Sequence, residues 1–243
     1  MHFSAKPELT LEQRLQLRLE LLEEQVAELK AANEQLEHRL HTEAKIDPLT
    51  GLNNRRGFEH AIEPILHGLP RRPKPEDQRK EPRRQILSIL MLDIDRFKDV
   101  NDVYGHDVGD QVLRLAGVFL KTQIRNKKDA VARHGGEEFV IAFYGASAAD
   151  VIRHFKPPGE KYATLRFDAT VVHAETPITL RVSFSGGVAT HIPGEPYSET
   201  IRRADIELLS AKDAGRGRIY KAKDLEPKRA VCVSSGSASP EKT

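Results

Sequence analysis

A single cysteine, Cys232, stands in 243 residues. One thiol cannot build an intrachain disulfide framework or a cysteine-rich zinc site, and so low a thiol content suits a reducing compartment. An excess of charge of one sign is equally absent. The 38 Lys and Arg are met by 36 Asp and Glu, a formal net charge of +2, so no global basic field directs the chain to nucleic acid. No apolar run approaches the roughly 20 residues of a membrane span. The opening Met1-His-Phe-Ser-Ala-Lys-Pro-Glu-Leu-Thr10 lacks the apolar centre of a secretory leader. The expectation is a soluble, cytoplasmic protein without a membrane span. It is long enough for one well-cored domain with appendages, or for two small domains.

Two local absences organise the first third of the chain. Residues 11–42 contain neither Gly nor Pro, and their apolar residues recur at spacings of four and three. Leu15, Leu22, Leu29 and Leu36 fall at heptad position d, and Leu19, Val26, Asn33 and Leu40 at a. This predicts a coiled-coil seam, and a single Asn at an a position fixes register and favours a parallel dimer. Arg18 at g would meet Glu23 at e of the partner helix. Residues 1–44 are therefore expected to form a homodimerising helix. The second absence is in residues 67–85, which carry four prolines and many charges but no apolar period and no aromatic residue. They read as a solvated, mobile loop for which nucleic-acid binding is not expected.

The rest follows from alternation and turn chemistry. Asp47-Pro48 and Gly51 form a turn leading into a helix that ends near Leu66. Residues 86–92 are a continuous apolar run, as in a strand buried on both faces, and run into Asp93 and Asp95. Residues 105–110 read as a turn, with Asp110 placed to cap a helix carrying Val112, Leu113, Ala116, Phe119 and Leu120. Strand-like runs at 130–132 and 139–143 flank Gly135-Gly136, a hairpin signal, and that tight turn carries Glu137 and Glu138. A helix over 146–155, strands over 165–173 and 180–189, a helix over 200–213 and a last short strand near Tyr220 complete a domain of residues 45–222. Residues 223–243 read as a disordered tail.

If the 130–143 hairpin neighbours the 86–92 strand in one sheet, then Asp93, Asp95, Glu137 and Glu138 crowd together and repel. A divalent cation would relieve this, and an all-oxygen ligand set argues for magnesium or manganese over zinc. Lys98, Lys212 and Arg216 lie on elements leading away from such a site and could hold phosphates. Carboxylates, a metal and distributed cations are the parts that nucleotidyl or phosphoryl transfer needs.

These residues resemble the GGDEF-domain diguanylate cyclases, in a Gly-Gly-Glu-Glu-Phe variant. The resemblance runs from about Asp47 to Tyr220. It rests on Asp47-Pro-Leu-Thr-Gly-Leu-Asn-Asn-Arg-Arg56, Asp93-Ile-Asp-Arg-Phe-Lys98, Asn101-Asp102, Gly105-His-Asp-Val-Gly-Asp110, Arg133-His-Gly-Gly-Glu-Glu-Phe139, Val182-Ser-Phe-Ser-Gly-Gly-Val-Ala189 and Ala211-Lys-Asp-Ala-Gly-Arg216. It implies an α/β, palm-like α+β domain related to nucleotidyl cyclases, preceded by the coiled-coil helix. Its activity would be condensation of two GTP into cyclic di-GMP with release of pyrophosphate. By the same resemblance, Asp93, Glu137 and the Ile94 carbonyl hold Mg²⁺ or Mn²⁺, and Glu138 assists with the metal or a proton. Lys98, Lys212 and Arg216 hold the phosphates, helped by backbone amides around Phe97. Asn101 and Asp110 read guanine; a carboxylate accepts from both its N1–H and its exocyclic amine, a donor pair adenine lacks.

Many relatives carry Arg-x-x-Asp upstream of the signature turn as an inhibitory site for product. Here the aligned residues are Asn126-Lys-Lys-Asp129, with Arg125 displaced by one position. Neither Lys nor Asn reproduces a bidentate arginine fork, so tight inhibition through Arg125 and Asp129 is not expected. Residues 156–177 match the family poorly. Two alternatives stand beside the cyclase reading: a nucleotide-binding regulator without turnover, and a coiled-coil interaction protein with a passive globular domain. No sensory domain is recognisable, so an upstream sensory partner is a further expectation.

Overall fold

Strict alternation of buried side chains along one central strand organises the globular part of this protein. The computed structural model describes residues 10–69 and 85–223, without the side chains of 35–43. Most of the predicted 67–85 loop, the tail with Cys232, and the heptad side chains Leu36 and Leu40 lie outside the described residues. The chain divides into two units between Ala44 and Lys45.

The first unit is a single helix, α1 (Leu11–Glu43). Its start has a mechanism that was overlooked in the sequence. Thr10 Oγ1 accepts from the Gln13 amide at 3.3 Å and Gln13 Oε1 accepts from the Thr10 amide at 3.0 Å, a reciprocal cap. Leu15, Leu19, Leu22, Val26 and Leu29 of the predicted seam are all exposed, as are Leu11, Leu17 and Leu21 off it.

The second unit contains α2 (Arg55–Gly68), β1 (Leu87–Ile94), α3 (Phe97–Tyr104), α4 (His106–Thr122), β2 (Ala130–Gly135), β3 (Glu138–Tyr144), α5 (Ala148–Phe155), β4 (Leu165–His173), β5 (Thr176–Thr190), α6 (Tyr197–Asp213) and β6 (Ile219–Lys221). The sheet order is β2-β3-β1-β5-β4, with β6 also pairing β5. All pairings are antiparallel except β5 with β6. Leu90, Leu92 and Ile94 of β1 face a core built with Val112, Leu113 and Ala116 of α4 and Val151 and Phe155 of α5. Leu87, Ile89 and Met91 face the other core, with Phe58 and Ile62 of α2 and Ala204 and Leu208 of α6. The period of two then places Asp93 on the α2/α6 side, just past the apolar layer. The edge strand β2 is covered by the 46–53 segment: Asn53 bridges Ala132, its carbonyl accepts from the Arg133 amide at 2.9 Å, and its Nδ2 donates to the Val131 carbonyl at 3.1 Å. This is a standard protection of an exposed edge.

The architecture is the expected α+β sheet with helices on both faces, and the 130–143 hairpin does neighbour β1. Two local expectations need correction, and one unassigned stretch takes shape. Asp110 does not cap a helix: α4 already begins at His106, with Gly105 (φ 85°) at the cap position, so Asp110 lies inside the helix. Residues 97–104, to which periodicity assigned no element, form α3. The expected strand over 165–173 forms as β4, but β5 begins at Thr176 rather than at 180, so the two strands pair as far as His173 and Thr176.

Candidate active site

Asp93 stands at the end of β1, where its cross-strand partners are Glu138 of β3 and Ser185 of β5. It is buried, only 7 % exposed, and its Oδ2 lies 2.8 Å from Lys212 Nζ at the end of α6. Burial pushes the Asp93 carboxyl above the ordinary carboxylate range; Lys212 opposes the shift, and Glu137 and Glu138 add to it by like-charge repulsion. The predicted crowding of Asp93, Glu137 and Glu138 is thus present, and one lysine ammonium already offsets part of it.

Two further groups on this face went unnoticed in the sequence. His134 Nδ1 lies 4.0 Å from Glu138 Oε2. Asp205 on α6 has its carboxyl raised by burial and by Glu138, with His134 opposing. The available signal was helical: Asp205 precedes Lys212 by seven residues, two turns on one face.

Asp95, predicted to join the acidic cluster, is engaged elsewhere. Its carboxylate accepts from Ser183 Oγ at 2.7 Å, Ser185 Oγ at 2.6 Å and the Gly217 amide at 3.0 Å. The residues implied as metal ligands are Asp93, Glu137 and the Ile94 carbonyl. Among the described residues no three His, Cys, Asp or Glu side chains converge as a closed metal cage. Two carboxylates and a carbonyl fit magnesium or manganese nonetheless, because such ions keep several positions for water and substrate oxygens. The neighbouring Glu137 and Glu138 point the same way, since like charges at close range favour a bound cation.

Beyond β1 the chain turns through Arg96, a non-glycine residue in the left-handed region (φ 56°), and enters α3 at Phe97. Phe97 is buried, and Lys98 in the next position is exposed. Arg216, in the loop after α6, is exposed and also left-handed (φ 63°). Among the described residues, neither Lys98 nor Arg216 pairs with a carboxylate.

Asn101 of α3 and Asp110 of α4 are brought together through Gly109. A Cβ on Gly109 would sit 1.9 Å from Asn101 Oδ1 and 3.2 Å from the Phe97 ring. A larger residue there would push the Asn101 side chain aside, so glycine leaves that side chain its place. The Asp110 side chain is 49 % exposed, with Arg114 at 4.0 Å, so its acceptor atoms face outward.

The signature turn is braced from outside. Arg133 Nε donates to the Gly136 carbonyl at 2.8 Å, and its Nη1 lies 3.3 Å from Asp47 Oδ2. Asp47 also accepts from the Thr50 amide at 2.8 Å and the Thr50 hydroxyl at 2.6 Å. Burial alone would raise this carboxyl, but the Thr50 bonds and Arg133 together hold it below the ordinary value.

Arg125 and Asp129 form an internal cluster. The Asp129 side chain is fully buried and accepts from the Arg125 amide at 3.0 Å, the Asn126 amide at 3.3 Å, Asn126 Nδ2 at 3.0 Å and the Tyr144 amide at 2.9 Å. The Arg125 guanidinium lies over the Phe143 ring at 5.0 Å, with Nε 3.5 Å from Asp129. The same loop walls a cavity of about 690 Å³ with Asn53, Lys121 and Lys127, which shares no lining residue with the acidic cluster.

Known proteins resemble this chain over most of its second unit. Residues 44–218 match the family described as "Diguanylate cyclase, GGDEF domain". Diguanylate cyclase DgcM of Escherichia coli K12 is 35 % identical over 199 residues, covering 81 % of this chain and 42 % of that protein. The chain thus spans about two fifths of that relative. Diguanylate cyclase SiaD of Pseudomonas aeruginosa, solved in complex with its activator SiaC, superposes with a TM-score of 0.55 at 32 % identity, covering 87 % of this chain and 76 % of that one. The coiled coil and GGDEF domain of DgcB from Caulobacter crescentus, solved with c-di-GMP, gives 0.56 at 26 % identity, covering 86 % and 100 %. Among the described residues no helix is long and apolar enough to cross a membrane.

Proposed function

Since the chain belongs to the GGDEF family of diguanylate cyclases, we propose that it condenses two GTP into cyclic di-GMP and releases two pyrophosphates. The observation that carries this reading is the group Asp93, Glu137 and Glu138 beside Lys212, an acidic centre with a cation at its rim. Each domain holds one GTP, and two domains meet face to face. The 3′-hydroxyl of each ribose attacks the α-phosphate of the other nucleotide; the new P–O bond forms as the bond to pyrophosphate breaks.

Mg²⁺ or Mn²⁺, held by Asp93, Glu137 and the Ile94 carbonyl, would polarise the phosphate oxygens and offset their developing charge. Lys98, Lys212 and Arg216 orient the triphosphate, with the amides at the start of α3 around Phe97. Glu138, across the ladder from Asp93 and near His134, would take part in proton or ligand positioning. Asn101 and the outward Asp110 carboxylate select guanine. Dimerisation through the exposed seam of α1 as a parallel coiled coil would tether two such half-sites, raising their effective concentration.

The test is direct. Purified protein is incubated with GTP and magnesium, and the products are separated by chromatography. Cyclic di-GMP and pyrophosphate are expected. GTP that is bound but unchanged would replace this reading with a nucleotide-binding regulator.

A further inference from the structure

We infer that Asp95 is a positioning residue, which sets the loop carrying Arg216 in place for the triphosphate. The inference rests on reading Arg216 as a phosphate holder. Asp95 follows Asp93 by two residues and continues the same face of β1, yet its carboxylate turns to β5 and to the loop after α6. Three donors converge on it, the Ser183 and Ser185 hydroxyls and the Gly217 amide. Its own amide donates to the Ser183 carbonyl at 2.9 Å, which extends the β1–β5 ladder past the end of the strand.

The loop needs such an anchor. Gly215, Arg216 and Gly217 take φ of 104°, 63° and 62°, three consecutive residues in the left-handed half of backbone space. For Arg216 this is a sparsely populated conformation, kept only where the surroundings over-determine it. The surroundings named here are the Gly215 amide on the Lys212 carbonyl at 3.3 Å, the Arg216 amide on the Ala211 carbonyl at 3.0 Å and the Gly217 amide on Asp95. Arg218 then closes the loop: its Nε donates to the Arg216 carbonyl at 2.9 Å, and its guanidinium lies 4.5 Å from the Tyr162 ring centroid. Of these ties, only the Asp95 contact reaches back to the β1 end that bears Asp93. It links the register of the acidic centre to that of the arginine.

A bond from an ionised acceptor to a backbone amide is of the stronger, charge-assisted kind, and its acceptor is fixed here by two hydroxyls. Asp95→Asn keeps the shape but replaces one acceptor atom by an NH₂ donor, leaving two serine hydroxyls and an amide with too few acceptors.

The test is a double-mutant cycle on the full chain, using Asp95→Asn, Arg216→Ala and both together. Binding of a non-hydrolysable GTP analogue is measured by calorimetry, alongside KM and kcat. Asp95→Asn should weaken analogue binding about tenfold through the lost charge-assisted bond, raise KM more than it lowers kcat, and abolish protection of the Gly217 amide from hydrogen exchange. In the Arg216→Ala background it should add little further loss, because the group it positions is gone. Full multiplication of the two losses would overturn the inference, as would an unprotected Gly217 amide in the unmodified protein. Ser183→Ala, a milder change, should show the same non-additivity at smaller amplitude. If GTP is not turned over but the analogue binds with this coupling, the positioning role stands and the cyclase reading falls. If the unmodified protein binds no analogue, the positioning role falls.

Discussion

Glu137 is the residue whose role is most sharply testable. Glu137→Gln removes a ligand charge while preserving size, so kcat should fall by at least about 10²-fold with the melting temperature essentially unchanged. Near-normal product from a well-folded variant would remove Glu137 from the metal set. Asp110 poses a different question now that it lies inside α4 rather than at its start. With no cap to lose, Asp110→Ser should leave stability within about 0.5 kcal/mol. Its loss of acceptors for guanine should reduce the preference for GTP over ATP by roughly ten- to a hundredfold per bond. Competition assays with the two nucleotides measure this ratio, and an unchanged ratio would mean that guanine is read elsewhere. At this scale the acidic cluster was legible because a buried apolar run ends at Asp93 and a glycine-pair hairpin carries Glu137 and Glu138. Asp95 was assigned to that cluster wrongly: two residues after Asp93 implies the same face, but spacing cannot show that Ser183, Ser185 and Gly217 claim its carboxylate. The Arg133–Asp47 brace was invisible for the same reason, its two partners being distant in the chain.

At the scale of elements, the hairpin of β2 and β3, the buried β1 and helix α6 could be read from apolar periodicity and a glycine pair. The close of β4 onto β5 could not. Its turn uses Ala174 (φ 46°) and Glu175 (φ 63°) where glycine or asparagine would have announced it. Helix α3 was obscured in the same manner by the left-handed Arg96. The loop of residues 125–129 carries a prediction of its own. Four of the Asp129 acceptor contacts are internal and Arg125 is committed to Asp129 and Phe143, so this segment presents neither a free carboxylate nor a free guanidinium to a product dimer. Cyclic di-GMP titrated into the assay should therefore inhibit only at high concentration and in competition with GTP, with Arg125→Ala making no difference. Submicromolar inhibition abolished by that substitution would show that the loop rearranges to expose the arginine.

For the molecule as a whole, the proposed reaction requires two half-sites to meet before a cyclic product can close. Leu15, Leu19, Leu22, Val26 and Leu29 offer an exposed apolar seam along α1. Removal of residues 1–44 should lower specific activity steeply at nanomolar protein and restore it at high micromolar protein, as mass action requires. Sedimentation measured in parallel should show the intact chain dimeric where the shortened one is monomeric. A rate per domain that ignores concentration in the shortened protein would count against tethering by α1.

Lys212, 2.8 Å from Asp93 Oδ2, is a counter-ion that both the proposed metal and the proposed nucleotide would have to contend with. A cation arriving at Asp93 repels the ammonium, whereas a phosphate beside α6 draws it away. Its removal should therefore move the two affinities in opposite directions. Lys212→Met should tighten manganese binding to nucleotide-free protein, followed by paramagnetic resonance, and weaken binding of a GTP analogue, followed by calorimetry. A variant in which both affinities fall would show Lys212 to be only a strut. Opposite signs would mean that metal and nucleotide act as each other's effectors through one side chain, by the reciprocity that any such coupling obeys.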